Sequence, residues 1–330
     1  MPTRRRAVLI LAVLAGLALL SIALALSVGS IHVPLNEVFA TLFASGSDGM
    51  SGDVVRSLRL PRALGGFACG ALLALAGALL QVLLRNPLAD PYVLGISGGA
   101  GVGAMFAILF GLSVSGVNGL AFVGALAAML LVFGLAHGDG GWTQTRLLLT
   151  GVIVAAGCGA VVALTLSVAP EHKLHGMLFW LMGDLAQGGD PLLPLAALAL
   201  VLAVALPFAR ELNLLARGAD TAQTLGVAVG RLRAGVYLVA SLATAIVVTY
   251  AGSIGFIGLI VPHLVRLALG NDQRLLLPAA ALAGGSLLVI ADTLARTVVA
   301  PQQLPVGVLT ALIGVPVFLY LLARAPLARR

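Results

Sequence analysis

The sequence predicts an all-α protein, a polytopic membrane helix bundle with about ten transmembrane helices. Three observations predict it. Hydrophobic residues make up 60% of the 330 and charged residues 9%, with a mean hydropathy of +1.11, far from the balance of a soluble domain. Apolar runs near 20 residues, long enough to cross a bilayer as a helix, recur along the whole length. These runs are rich in Leu, Ala and Gly and lack the two-residue alternation of a barrel strand, so helices are the means by which the backbone satisfies itself in lipid. The 41 Gly fit close helix–helix approach.

The first span, 7–28, follows Arg4, Arg5 and Arg6. A signal peptide has the same order of charge and apolar run. This run is long for one, and many spans follow, so we read an uncleaved first helix with its charged start in the cytoplasm. The next five spans are 60–84, 92–111, 117–136, 146–168 and 191–208. Four more follow at 232–251, 255–269, 276–298 and 306–324, the eighth being short. Arg324, Arg329 and Arg330 call for the same side as the first arginines, which an even number of spans provides. On that topology only Arg56, Arg59, Arg62, Lys173 and Arg296 of the 19 basic residues fall outside, the bias of a membrane protein. The net charge of +7 is then membrane-surface anchoring, and no nucleic acid partner is expected. Cys69 and Cys158 stand alone in separate spans, read as packing residues.

The energy source can be narrowed. A P-loop needs a lysine that reaches the β and γ phosphates. The only lysine is Lys173, in the outer stretch "PEHKLHG", so the chain carries no Walker site and is passive, ion-driven or energised by another chain. An ion-driven carrier needs ionisable groups at membrane depth. Asp292 is the one acid well inside a span, four residues before Arg296 and so on the same helix face. It reads either as a structural pair near a helix end or as the site of an ion-coupled secondary transporter.

Between spans six and seven, on the cytoplasmic side, stands a soluble-looking segment, 211–233. Gly218 and Gly226 bracket "ADTAQTL", about two helical turns. Asp220 lies in the first turn, where the helix dipole favours an acid, and Gly226 stands as a C-terminal stop. Leu214, Leu215, Ala222 and Leu225 supply a small apolar face. The segment is either a docking surface or a capped loop that avoids lipid.

"RNPLADPYVLG" follows span two at the inner surface. Pro87 and Pro91 break the helix, with Asn86 and Asp90 in turn-forming positions before them. The expectation is a rigid cytoplasmic loop. "GISGG", 95–99, matches the G-x-S-x-G nucleophile elbow, and with His263 it could mimic an intramembrane Ser/His site. That elbow needs a strand–turn–helix setting, which an all-helical chain lacks. His263 is expected to cap or hydrogen-bond a cytoplasmic helix end. Glu171, His172 and His175 in "EHKLH" have a metal-like spacing but too few ligands, and no metal is expected there. Phe179, Trp180 and Met182 follow as an interfacial anchor or the mouth of a pathway.

Several stretches carry a resemblance. "RLPRALGGFACGALLALAGALLQVLLRNPLADPYVLGISGGAGVGA", 59–104, is similar to spans two and three of the permease subunits of metal-chelate ATP-binding-cassette importers, those for ferric siderophores, haem and vitamin B12. "AGSIGFIGLIVPHLVRLALGNDQRLLLPAAALAGGSLLVIADTLAR", 251–296, and "LPVGVLTALIGVPVFLYLL", 304–322, resemble their C-terminal half. "LNLLARGADTAQTLGVAV" is similar to their cytoplasmic coupling helices. The resemblance implies a homodimer of ten-span subunits in a bacterial inner (plasma) membrane, with spans two to five and seven to ten related as an inverted repeat. It implies two ATP-binding subunits inside, a periplasmic or lipid-anchored substrate-binding protein outside, a metal chelate as cargo, and ATP used by the partner ATPase with no cofactor held by this chain. Leu214, Leu215, Gly218, Asp220, Thr221, Leu225 and Gly226 would take up the ATPase's movement. Asn86, Pro87, Asp90 and Pro91 would lie in the inner loop beside it. Arg56, Arg59 and Arg62 on one short outer segment, with Arg296 also outside, read either as snorkelling anchors or as an exposed, acid-seeking surface; the resemblance implies the second, because Arg59, Arg62 and Arg296 match arginines that face acidic residues on the binding protein.

Overall fold

A computed structural model describes residues 4–29, 33–43, 50–136 and 143–324. Each expected span has its helix. α1 (Arg4–Ser27) is followed by the short α2 (Leu35–Phe43). α3 (Met50–Asp53) runs through a π-helical stretch (Val54–Arg59) into α4 (Leu60–Leu83), and the three form one apolar rod, Ser51–Leu83. Every residue from Ala68 to Leu83 is buried. A helix apolar on all sides is enclosed on all sides, and α4 is the axis of the bundle.

α5 (Ile96–Leu109), α6 (Val114–Ala136) and α7 (Gln144–Val168) complete the first group. α8 (Glu171–Met182), α9 (Leu192–Ala205), α10 (Ala209–Arg217) and α11 (Ala219–Thr224) lead to the second. That group is α12 (Val229–Ala251), α13 (Ile257–Leu269), α14 (Gln273–Thr297) and α15 (Val306–Arg324). Among the described residues, six helices are long and apolar enough to cross a membrane alone; α9 with α10 is a pair bent by 68°, and α5, α13 and α15 are shorter apolar helices.

The helix ends sort into two layers. At one, Arg59 Nη1 donates to the carbonyls of Leu26 (2.7 Å) and Ser27 (3.0 Å), and the Asp184 amide donates to Ala251 O. At the other, Gln144 Nε2 donates to Leu83 O, and the Gln273 amide to Asn213 Oδ1. Successive spans run alternately between the Arg59 end and the Asn213 end.

Close approach explains the glycines at the central crossings. α14 lies antiparallel on α4, with Gly70 facing Gly284 so closely that a Cβ on Gly70 would stand 2.3 Å from the Gly284 carbonyl oxygen. Gly77 meets α13 closer still, a Cβ there falling 1.8 Å from Gly258 O.

The two groups repeat one plan. α4 packs on α12. α5 and α13, of 14 and 13 residues, are both short, and each follows a break with positive φ, at Gly95 (76°) and Phe256 (70°). α6 packs on α5 and α12 as α14 packs on α13 and α4. The two breaks meet in the interior, where Ser97 Oγ lies 3.0 Å from Ser253 Oγ and the Ile254 amide donates to Tyr92 Oη. Such exchange of equivalent contacts is what an inverted repeat of spans two to five and seven to ten predicts.

One stretch read as an outer loop is a helix. "EHKLHGMLFWLM" forms α8, which buries Met177 and Trp180. Lys173 Nζ donates to Leu109 O, so α8 is pinned to the C-terminal end of α5. Apolar residues at three-residue spacing were available to signal this; the polar start masked them.

Candidate functional site

The chain leaves α9, turns by 68° and enters α10, a strongly amphipathic helix that buries Ala209, Leu212 and Leu215. Gly218 (φ 141°, ψ 148°) separates α10 from α11 in a conformation open essentially to glycine alone. α11 buries Ala222 and leaves Asp220, Thr221 and Leu225 exposed, Leu225 at 62%. Gly226 (φ 83°) ends it: its amide donates to Gln223 O and that of Val227 to Ala222 O, closing the last turn. Half-buried Leu214 and exposed Leu225 face a cavity of about 560 Å³ between α9, α10 and α12. The capped helix pair expected from 211–226 is therefore formed. It is fastened to the bundle through Asn213, whose Nδ2 donates to Asp272 Oδ1 while its Oδ1 accepts from the Gln273 amide at the start of α14.

The loop after α4 divides in two. Asn86 Oδ1 accepts the Leu88 amide, and Pro87 and Leu88 are exposed at the Asn213 end. Asp90 and Pro91 are not in the surface part. Asp90 caps a 3₁₀ turn (Pro91–Leu94) by accepting the Tyr92 amide at 2.8 Å, and its carboxyl is pushed up to about 6 by burial, against that hydrogen bond. Pro91 is buried with its ring against the α13 backbone at Gly258. The expectation of one cytoplasmic loop is corrected: after Leu88 the chain turns back between helices, because apolar Pro91 and Leu94 gain burial there while the Asp90 cap satisfies the turn.

At the Arg59 end the exposed arginine surface is also corrected. Arg59 is buried, its guanidinium closing the C-terminal carbonyls of α1. Arg62 grips Asp292 through two nitrogens, with Nη2 2.7 Å from Oδ1 and Nε 3.0 Å from Oδ2, and reaches Gln303 and Asp184 as well. Arg296 Nε lies 3.1 Å from Asp292 Oδ2. The three guanidiniums are drawn inward because a buried carboxylate and open helix carbonyls offer charge-assisted bonds. Only Arg56 of this outer group is exposed, and it too bonds the Thr41 carbonyl. Asp292, with a side chain 4% accessible, is held by two cations from different helices. A proton or sodium relay there would have to break both contacts.

Other candidates are placed plainly. Ser97 pairs with Ser253, and Gly95 caps α5 rather than a strand–helix elbow. His263 lies inside α13 rather than at its end, its Nδ1 buried without a partner among the described residues. Glu171 and His172 are exposed at the start of α8, and His175 stacks on Phe179 at 4.5 Å. Among the described residues no group of three His, Cys, Asp or Glu is placed to hold a metal.

The model of the FecCD transport family matches residues 17–324. The chain belongs to the FecCD transport family. Within and beside this family, the cobalamin import system permease protein BtuC of Halobacterium salinarum is 47% identical over 272 residues, 82% of this chain and 73% of that one. The hemin transport system permease protein HmuU of Yersinia pestis is 40% identical over 316 residues, 93% and 94% of the two chains. Among solved structures, an inward-facing metal-chelate type ABC transporter superposes with a TM-score of 0.84 at 31% identity, covering 97% of this chain and all of that one. This FecCD chain is accordingly a multi-pass permease, and its helix order carries the two-group plan described above.

Sequence reading missed one polar contact in this FecCD core. Gln81, buried in α4, donates to Leu259 O and accepts from Arg266 Nη1, tying α4 to α13. A lone glutamine in "ALLQVLL" was the available signal, since a polar group in an apolar span seeks a partner helix.

Proposed function

We propose that this chain is the membrane-spanning subunit of an ATP-driven importer for a metal chelate. It works as a pair of identical subunits, with two ATP-binding subunits at the Asn213 end and a substrate-binding protein at the Arg59 end. On this reading the Asn213 end and both termini are cytoplasmic and the membrane is a bacterial-type inner (plasma) membrane. Cargo is a cobalamin, haem or ferric siderophore, in keeping with the transport systems for which the relatives are named.

The observation that carries the reading is the capped pair α10–α11, a polar, rigid element projecting from an otherwise apolar chain. The chain has no Walker lysine of its own, since its one lysine, Lys173, stands in "PEHKLHG" and not in a G-x-x-x-x-G-K-S/T sequence. ATP is therefore used by the partners, and no cofactor is held here. Closure of the two ATPases shifts α10–α11. Asn213 passes the shift to α14 through Asp272 and Gln273, and α14 moves against α4 along the Gly70–Gly284 contact. Rigid-body movement of packed helices then alternates access from one side to the other.

The test is affinity capture of the tagged chain from mild detergent, with mass spectrometry of what accompanies it, for wild type and Thr221→Pro. Proline breaks α11. A P-loop ATPase retained by wild type and lost from the variant supports the reading. Transport that persists with no ATPase captured sinks it.

A further inference from the structure

At the same end of the bundle, walled in part by Asn213, Ala216 and Arg217 of α10, lies a second cavity of about 580 Å³. Its wall is unusual for a chain with 9% charged residues. Arg85 from the end of α4, Arg217 from the last turn of α10 and Arg266 from α13 all line it, against one carboxylate, Asp272. That carboxylate is already engaged: Oδ1 accepts from Asn213 Nδ2 at 2.9 Å and from the Arg274 amide at 3.1 Å as the cap of α14. Arg266 is anchored on Gln81. Arg85 and Arg217 are exposed, and no hydrogen bond or ion pair engages either side chain among the described residues.

Arg85 adds a second observation. It holds φ 48° without being glycine, a conformation that costs energy and persists where the surroundings demand it. Its amide donates to Val82 O and that of Asn86 to Gln81 O, closing the end of α4. Gln273, buried in the same wall, has an amide oxygen with no partner among the described residues. The cleft thus offers excess positive charge, three guanidiniums against one carboxylate. It is continuous with α10 through Asn213 and Arg217.

We propose that this cleft is a second anchorage for the ATP-binding subunit, receiving an acidic segment of that partner, a loop or helix end bearing Asp or Glu. The proposal rests on the importer reading, and continuity with α10–α11 selects the ATPase over a lipid headgroup as occupant. The acid of the partner lies between Arg85 and Arg217. Two contacts, α11 and the cleft, fix the ATPase against rotation, which one short helix does not.

The experiment uses the full chain in nanodiscs with its co-purified P-loop ATPase, comparing wild type, Arg85→Glu, Arg217→Glu, the double reversal and Arg85→Lys/Arg217→Lys. ATPase affinity is measured across about 50 to about 300 mM KCl, a range over which exposed charges become screened. Each reversal is expected to weaken binding roughly three- to tenfold at the low-salt end. The double reversal should flatten the salt dependence, and the lysine pair should restore both. Wild-type affinity and salt dependence in the double reversal, with ATPase still bound, overturn the proposal and leave the importer reading standing. Failure of wild type to bind any ATPase overturns both. Native mass spectrometry in which the reversals lose bound anionic lipid instead of ATPase overturns the proposal in favour of a headgroup site.

Discussion

Arg62 and Asp292, 230 positions apart, form a two-nitrogen ion pair that joins the first turn of α4 to α14, with Arg296 closing on the same carboxylate. Removing one partner leaves charge buried without compensation, which typically costs about 3–5 kcal/mol. Asp292→Ala is expected to lower the unfolding midpoint in detergent markedly. The triple replacement Arg62→Met/Arg296→Met/Asp292→Leu, which leaves no buried charge behind, should be milder than Asp292→Ala. Equal damage from both, read by thermal unfolding, would show that the ion pair contributes packing rather than charge compensation.

The same pair separates two modes of transport. Asp292→Asn keeps the shape of the side chain and weakens its hold on Arg62. Uptake by the importer, reconstituted with its ATPase, should remain dependent on ATP and indifferent to an imposed proton gradient. Gradient-dependent uptake in wild type that disappears in Asp292→Asn would return the residue to an ion-coupling role.

Gly77 faces a backbone carbonyl, which cannot swing aside as a side-chain end can. Gly77→Ala places a Cβ 1.8 Å from Gly258 O in the unrelaxed bundle, so α13 must shift. Overpacking of this kind costs about 1–3 kcal/mol. Size-exclusion profiles and unfolding midpoints should show the loss, whereas Gly119→Ala, which meets open space, should behave as wild type.

Gly218 sets the angle between α10 and α11. An alanine there adopts φ 141° only with strain, on the order of 1–3 kcal/mol. Gly218→Ala should leave the bundle folded while reducing transport per ATP hydrolysed. Unchanged coupling in reconstituted vesicles would mean that the hinge conformation is dispensable.

Asp90 accepts the Tyr92 amide at the entry to the 3₁₀ turn. Asp90→Ala loses that cap, worth about 1 kcal/mol, and Asp90→Asn keeps an acceptor. With burial holding the Asp90 carboxyl at about 6, above the ordinary range near 4, the protonated form favours the folded chain. Asp90 therefore contributes stability below pH 4 that is lost as pH rises through 6, a trend that Asp90→Asn should abolish in unfolding midpoints.

Much of the fold was legible because membrane helices write themselves locally. A run of about 20 apolar residues names its own helix, and Gly218 and Gly226 around "ADTAQTL" name their own turn positions. The inverted repeat was legible only faintly, through an Ala-Gly pair followed by a proline in both "AGALLQVLLRNP" and "AGSIGFIGLIVP". α8 was missed as a helix, and Asp90 and Pro91 were expected at the surface, because a short polar segment reads alike in a loop and in a buried turn.

By itself the sequence determined the helical class, the number of spans, their alternation and the capped segment at one end. Each of these follows from hydropathy over a window or from residues within one turn. Only the tertiary structure decided where the arginines go. Arg59 met the end of α1, Arg62 met Asp292, and Arg85, Arg217 and Arg266 came together around one cleft. A charge buried in a chain this apolar takes the nearest carboxylate, amide oxygen or open carbonyl in space. Which group that is depends on the order in which helices pack, and the glycine crossings of α4 with α13 and α14 set that order through contacts far apart in sequence.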